Sequence, residues 1–400
     1  MGIFNFRKNI ENTNTSPEKK EEGFDLINSV IKLGAENIAP TIAEKHNEDF
    51  VSYGINNDFP NYLDVLYKNA PTHQAIVDCK SLLVAGDGYS INDTLLNDVQ
   101  KNSLNQILKF IDGKNSLQKF LNETSRDLEM YGAICVEIIW SVDRTKWVKA
   151  KRISPKNIRS GKFIDGEVRD YFYSRDWTNR REKYSRIAAF DIDNKDEARQ
   201  LLYVPLSLLT QEYYGEIDYI ACLNWCALEY QTGNYYKSLM DNNFSPSMIV
   251  QFFRKPNSQE ERDQVVKGLK QSFGGTGNAG KVMVTFSNDK DSAPEIKPVE
   301  VSSVDKQFTV LADQIQSKIV TGHRVTTSEL FGINIPGKLG SADFPTQVEA
   351  FNKFVIRPSQ IIVEEMINKL FYINGLNLDF KIIPLELDSI KSNQTQTPNN

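Results

Sequence analysis

Three stretches in the second half of the chain repeat apolar residues at spacings of three and four for long enough to demand long helices. In 216–240 the series is Ile217, Ile220, Leu223, Ala227 and Tyr230, and Asp241-Asn242-Asn243 ends it. In 303–321 it is Val304, Phe308, Leu311, Ile315 and Ile319, and in 344–372 it is Val348, Phe351, Val355, Ile362, Met366 and Leu370. Helices of this length gain most of their stability by burying such a stripe, so each needs a packing partner. Pro358 falls inside the third, where it removes a backbone hydrogen bond and is expected to bend the helix. Asn374-Gly375 terminates that helix, and 376–384 alternates as a closing strand.

The first half has a different rhythm. A helix is expected to start near Pro60, to restart at Pro71 and run over 72–84, and to turn at Gly86-Asp87-Gly88 into a strand. Ser116 caps a helix in which Leu117, Phe120, Leu121, Thr124 and Leu128 stay in phase until Gly132 stops it. Strands follow over 133–140, 146–153, 168–174, 186–191 and 201–205. A short β insertion lies between the first two long helices, with strand-like 248–253 and 281–286 flanking a helix over 258–273. The fold class is therefore α+β, in two or three modules for 400 residues. Residues 1–23 and 387–400 are polar and poor in large apolar groups, as mobile tails are. The glycine-rich 332–341 has the composition of a functional loop.

Composition excludes several classes. With 40% hydrophobic and 25% charged residues and a net charge of -5, the chain can build a real core and is no dedicated polyanion binder. The longest strong apolar run, Ala133-Ile134-Cys135-Val136, is broken by Glu137, far short of a membrane span. The start lacks the apolar core of a signal peptide, and Phe6 stands where a myristoylation motif wants Ser or Thr, so the chain is expected to stay where it is made. Cys79, Cys135, Cys222 and Cys226 sit in apolar company and read as packed thiols. Cys222 and Cys226 share a helix face, yet His46, His73 and His323 stand at no zinc-site spacing from them, so no metal is expected.

One motif comes close to chemistry. Gly275 to Val282 satisfies G-x4-G-K and fails only at the final Ser or Thr, which would ligate magnesium. The context is inverted, with a helix before and strand-like residues after, so no helix N-terminus aims its amides at phosphate. No nucleophile and base are patterned together, and no cofactor is expected. His323, beside Arg324, reads as a helix-end histidine, where a cation is electrostatically welcome. Arg144, Lys146, Lys149, Lys151, Arg152, Lys156, Arg159 and Lys162, interleaved with Trp147 and Phe163, have the composition of a nucleic-acid surface. Their alternation with Val148 and Ala150 favours a strand with one solvated or subunit-contacting face.

The order of parts resembles the phage portal protein family in its HK97-like form, over roughly 71–380. Tyr213-Tyr214-Gly215 is similar to the family's aromatic-Gly turn before its first long helix, and Asn242 to Ile249 to its "NGxxPSGVL" junction. In that junction Asn-Phe replaces Asn-Gly and Met replaces the second Gly. Phe273 to Val284 resembles the "GxxNAGKxxVL" strand entry, and Ile319 to Val325 the approach to the "FxVP" turn, with Thr326 in place of its proline. Glu349-Ala350-Phe351 and Ile356-Arg357-Pro358 follow the spine-helix pattern.

This resemblance implies a portal fold with a wing over 24–215, stem helices over 216–244 and 303–328, and a clip over 245–302. It also implies a tunnel-loop region over 329–343, a kinked spine helix and closing strand over 344–386, and little or no crown. It further implies a homo-oligomeric, dodecameric ring at one capsid vertex of a virion, assembled in the host cytoplasm, through which double-stranded DNA is packaged and ejected. Terminase, a head-tail adaptor, the major capsid protein and scaffold are the implied partners. Asn334, Gly337, Lys338, Gly340 and Ser341 would face DNA, and Met248, Val250, Phe252, Arg254, Lys281 and Met283 would touch neighbouring clips or terminase. Two other readings remain open: a nucleotide-hydrolysing packaging enzyme using 275–282, and a non-portal head-tail connector.

Overall fold

The structure is a computed structural model and describes residues 43–179, 181–241, 248–252, 258–260, 263–264, 282–286, 301–333 and 344–385. It opens with a small hairpin, β1 (Glu44–His46) against β2 (Val51–Tyr53), followed by α1 (Phe59–Asn69) and α2 (Pro71–Ala85). Both helices carry proline in the first turn, where its missing N–H is not needed. After β3 (Tyr89–Ile91) come α3 (Asp98–Phe110) and α4 (Leu117–Tyr131). The sequence reading passed over α3, although Asn97 and Gln100 form a reciprocal capping box at its start. Ser116 caps α4 as expected, accepting from the Lys119 N–H, and Gly132 stops it in the left-handed conformation at φ 71.

Six strands form the central sheet in the order β5-β4-β11-β10-β9-β6. They are β4 (Ala133–Trp140), β5 (Trp147–Ile153), β6 (Ile158–Ser160), β9 (Asp170–Tyr173), β10 (Ser185–Ala189) and β11 (Arg199–Pro205). The β10/β11 pair is parallel and every other pair antiparallel. β7 (Phe163–Ile164) and β8 (Glu167–Val168) form a separate short hairpin. β4 is buried along almost its whole length, so it reads as a continuous apolar run with one buried charge, Glu137. Arg199 answers that charge from the neighbouring strand with its Nε at 2.7 Å.

The alternation expected in β5 is broken. A bulge shifts the register between Ile139 and Trp140, so that Trp147 opposes Trp140. Trp147 is buried as a result, and its indole N–H donates to the Leu370 carbonyl at 2.7 Å.

The second half supplies α5 (Leu223–Asp241), β12 (Met248–Phe252), β13 (Val282–Phe286) and α6 (Val301–Gly322). α7 (Phe344–Phe351), α8 (Arg357–Ile373) and β14 (Phe380–Ile382) complete it. α5 packs along α6, and α8 lies on α2 and α4. The first long helix starts later than its periodicity suggested. Residues 216–219 are not helical and Ile220–Cys222 form a 3-10 turn, because Asp218 and Tyr219 are engaged with the body of the fold.

The third long helix is interrupted one turn before its proline. Asn352–Ile356 widen into a π-helical turn in which the Arg357 N–H reaches back five residues to the Asn352 carbonyl. Pro358 then occupies the first turn of α8, so the ring and the missing donor are absorbed by the widened turn ahead of it. The closing strand is shorter than the expected 376–384, and β14 pairs antiparallel with β3, Phe380 opposite Ile91.

Candidate functional site

The residues expected to face DNA, Asn334, Gly337, Lys338, Gly340 and Ser341, lie outside the described residues, as do Arg254 and Lys281. Most of the helix expected over 258–273 does too, as do the two expected tails. Met248, Val250 and Phe252 fall on β12 and Met283 on β13. These strands pair with one another, in parallel, from Met248 opposite Val282 to Phe252 opposite Phe286. Because Met283 is the partner of Ile249, it occupies the alternate register position to Met248, Val250 and Phe252. The glycine run of the near-P-loop leads into strand β13, where a P-loop requires a helix.

The basic segment is not a surface for nucleic acid along its whole length. Arg152 makes two hydrogen bonds to Asp127 at 2.5 and 2.6 Å, and Lys156 reaches Asp64 at 2.6 Å. Arg159 is about 1% exposed, stands over the Trp177 ring at 5.0 Å and donates to the carbonyls of Asn57, Lys156 and Ile158. Burial pulls its guanidinium down to about 10, and acceptors rather than a carboxylate hold it. Lys149 and Lys151 remain exposed on the strand, and Lys162 donates to the Glu48 carbonyl.

What the fold does build is a polar junction where the two long helices meet the α/β body. The aromatic-Gly turn prepares it. Tyr214 stacks on Tyr53 with ring centres 4.1 Å apart, its hydroxyl reaches the Val51 carbonyl, and the Gly215 N–H donates to the Tyr203 hydroxyl at 2.9 Å. A β-carbon on Gly215 would sit 2.0 Å from the Gly132 carbonyl oxygen, so two backbones cross where only glycine fits.

Asp218 and Tyr219 follow that crossing. Lys80 of α2 is about 1% exposed and bridges Glu129 of α4 at 2.5 Å and Asp218 at 2.6 Å. Arg324, in the left-handed region at φ 58 just past α6, meets Asp218 from outside at 2.8 Å. Two carboxylates and two cations thus balance. The neighbouring carboxylates hold Lys80 above its ordinary range despite its burial, and the two cations hold Asp218 below its own.

Beside this quartet His73 Nδ1 and His323 Nε2 face each other at 2.9 Å, and Tyr219 packs against both rings at 4.7 and 4.9 Å. His323 follows the last turn of α6, but it is fully buried, and burial holds it well below the usual histidine range. The expected cation at the helix end is therefore a neutral imidazole, and Arg324 next to it carries the charge. Cys222 and Cys226 pack below as free thiols, 4.0 Å between sulfurs. Gly322 lies so close to Cys222 that an added β-carbon would be 2.3 Å from the Cys222 Cβ. Sequence reasoning missed Lys80, Glu129 and Asp218, whose partners come from three separate elements.

Among the described residues no group of three or more His, Cys, Asp or Glu could hold a metal ion, and no helix is long and apolar enough to cross a membrane. A cavity of about 290 Å³ lies over the central sheet between Glu137, Lys151, Tyr173, Ile187 and Arg199. It brings together no nucleophile and base.

Comparison with curated proteins gave no match. Among solved structures, a chain from the virion of a native gene transfer agent particle aligns over 85% of this chain and 91% of its own, at 14% identity and a TM-score of 0.56. A chain from the neck of a native gene transfer agent particle, computed with C12 symmetry, aligns over 80% of this chain and 83% of its own, at 14% identity and a TM-score of 0.52. An HK97 family phage portal protein from Corynebacterium diphtheriae aligns over 83% of this chain and 96% of its own at 12% identity, with a TM-score of 0.47, too distant to carry an argument. At these identities the likeness is one of fold. In sequence, the phage portal protein model matches residues 91–396, well over half of the chain, and this protein belongs to that family.

Proposed function

We propose that this chain is one subunit of a dodecameric portal ring at a single capsid vertex, the channel through which double-stranded DNA is packaged and ejected. The family match over 91–396 carries the reading, and the family is a structural rather than an enzymatic one. Three features of the chain support it. α5 and α6 pack as a pair of long rods, β12 and β13 form a small sheet between them in sequence, and the junction at Asp218 and His323 anchors both rods to the α/β body. A head-to-tail ring closes only when every interface repeats the same rotation, which rigid paired helices favour.

In this reading 24–215 is the wing, 216–244 and 303–328 the stem, 245–302 the clip, and 344–386 the spine helix and closing strand. Asn334, Gly337, Lys338, Gly340 and Ser341 lie on the loop that meets DNA. Met248, Val250, Phe252, Arg254, Lys281 and Met283 belong to the surface that meets neighbouring clips or terminase, by strand addition at an open edge of the β12–β13 sheet. The head-tail adaptor, major capsid protein and scaffold are the further partners of this reading. A net charge of -5 per subunit suits a conduit that must pass a polyanion without holding it, since tight phosphate contacts would make each step a dissociation. Native mass spectrometry with negative-stain imaging of the purified chain tests the proposal. Closed rings with an axial hole are expected, and a chain that stays single at every concentration refutes it.

A further inference from the structure

His73 on α2 and His323 at the end of α6 are 250 residues apart in sequence, yet their ring nitrogens share a single hydrogen bond inside the protein. In either tautomeric arrangement one ring donates and the other accepts. The outer nitrogens, His73 Nε2 and His323 Nδ1, are buried and have no hydrogen-bond partner. The pair is thus stable only while both rings are neutral. The neutral pair leaves one outer N–H and one outer lone pair unanswered, whereas one proton makes a buried cation with both outer N–H groups unanswered, and a second sets two N–H groups against each other at 2.9 Å.

The surroundings offer little relief. On α2, Lys80 already bridges Glu129 of α4 and Asp218, and Arg324 takes up Asp218 from the other side. Glu229 of α5 accepts from the backbone N–H and hydroxyl of Thr72. Tyr219 gives its hydroxyl to the Met130 carbonyl, and the Cys222 and Cys226 thiols face each other. Ser359 of α8 adjoins Glu129. Each nearby carboxylate is thus already tied to a cation or to Thr72, although Asp218 Oδ1 and Glu229 Oε2 are buried without a hydrogen-bond partner, and neither of them is hydrogen-bonded to an outer imidazole nitrogen.

We propose that the facing rings of His73 and His323 form a proton-operated latch, which fastens the carboxyl end of α6 and the entry to α5 onto the α/β body and releases them when the rings take up protons. The elements it fastens are those joined at the Gly322–Cys222 contact, so one event frees both rods. Burial holds His73 down to about 3 and His323 well below its usual value, so opening exposes groups that then titrate near 6.5. A group whose folded pKa is lowered stabilises the closed form above its exposed pKa, and that stabilisation fades as pH falls towards the folded value. The latch is a property of one chain and holds whether or not the ring reading does.

Hydrogen exchange on the full-length protein tests it, with rates corrected for the intrinsic pH dependence. Between about pH 6 and pH 4, exchange in segments 217–226 and 316–326 should rise by about a hundred-fold per pH unit if both rings protonate on opening. In His323→Gln, and separately in His73→Gln, the slope should fall to about ten-fold per unit, because one titrating ring remains. Glutamine keeps a donor and an acceptor, and two variants are used because either alone could fail to fold. The proposal is overturned if wild-type exchange in these segments is flat across that window. It is equally overturned if neither folded variant changes the slope, or if the segments open only together with strands 133–140 and 199–205, which would be global unfolding.

Discussion

Replacing Lys80 by methionine removes the one cation that touches both Glu129 and Asp218 while keeping the length and apolar stem of the side chain. Asp218 retains Arg324 at 2.8 Å, but among the described residues Glu129 retains no cation within ion-pair distance, and it is about 2% exposed. Breaking a buried pair by deleting one partner typically costs about 3–5 kcal/mol, because the other charge stays desolvated. The loss should sit near the lower end, since only one of the two carboxylates is abandoned. The sign of its pH dependence follows from Glu129. Burial already raises its pKa despite Lys80, and losing the lysine raises it further. A carboxyl group raised in the folded state favours folding below its unfolded pKa and disfavours it as pH climbs through the folded value.

The difference between Lys80→Met and wild type should therefore be about 3 kcal/mol at pH 8 and clearly smaller at pH 5. Urea unfolding followed by tryptophan fluorescence, with both proteins compared at each pH, measures it. Adding Glu129→Gln should recover more than half of the loss. A cost below about 1 kcal/mol, or one equal at both pH values, would show that Glu129 is not the stranded charge.

Gly322→Ala places a methyl group against Cys222 and should destabilise the chain by about 1–3 kcal/mol, and Gly322→Ala with Cys222→Gly, measured by the same unfolding curves, should return part of it. Arg159→Lys loses the planar fork that reaches three carbonyls and the Trp177 face, so it should cost about 2 kcal/mol or more in thermal unfolding despite keeping the charge. Deleting the loop around Lys338 should leave rings intact in negative stain but lower packaging or DNA retention; an unchanged particle yield would remove that loop from the mechanism. Lys281→Ala should leave nucleotide binding at background in both proteins, whereas a lysine-dependent nucleotide signal would revive the enzyme reading.

Local chemistry was legible where one residue decides the outcome. Ser116 and Gly132 bound α4 as capping rules require, and Pro60 and Pro71 open helices as expected. The long helices were visible from their stripes, of which Leu223, Ala227, Ile315, Ile319, Val348 and Met366 are all buried. Failures came where distant contacts overrule local pattern. Asp218 and Tyr219 hold 216–219 out of the helix that Ile217 and Ile220 advertise. The β5 bulge turns Trp147 inward, which no alternation rule anticipates. The π-helical turn spreads the effect of Pro358 upstream, so a sharp bend at the proline is replaced by a widened turn before it. The charged quartet and the histidine pair carry no spacing signal at all, because their members come from α2, α4, the 218–219 segment and the end of α6.

The pairing of β14 with β3 has a consequence for how the polypeptide matures. Strand 89–91 leaves the ribosome nearly three hundred residues before its mate at 380–382, and α8, which covers α2 and α4, emerges only just ahead of that mate. The amino-terminal half must therefore wait, with part of its apolar surface uncovered, until synthesis is almost complete. A nascent chain cut short before Phe380 should remain protease-sensitive in α2 and α4, so that subunits become competent to associate only once the message has been read nearly to its end.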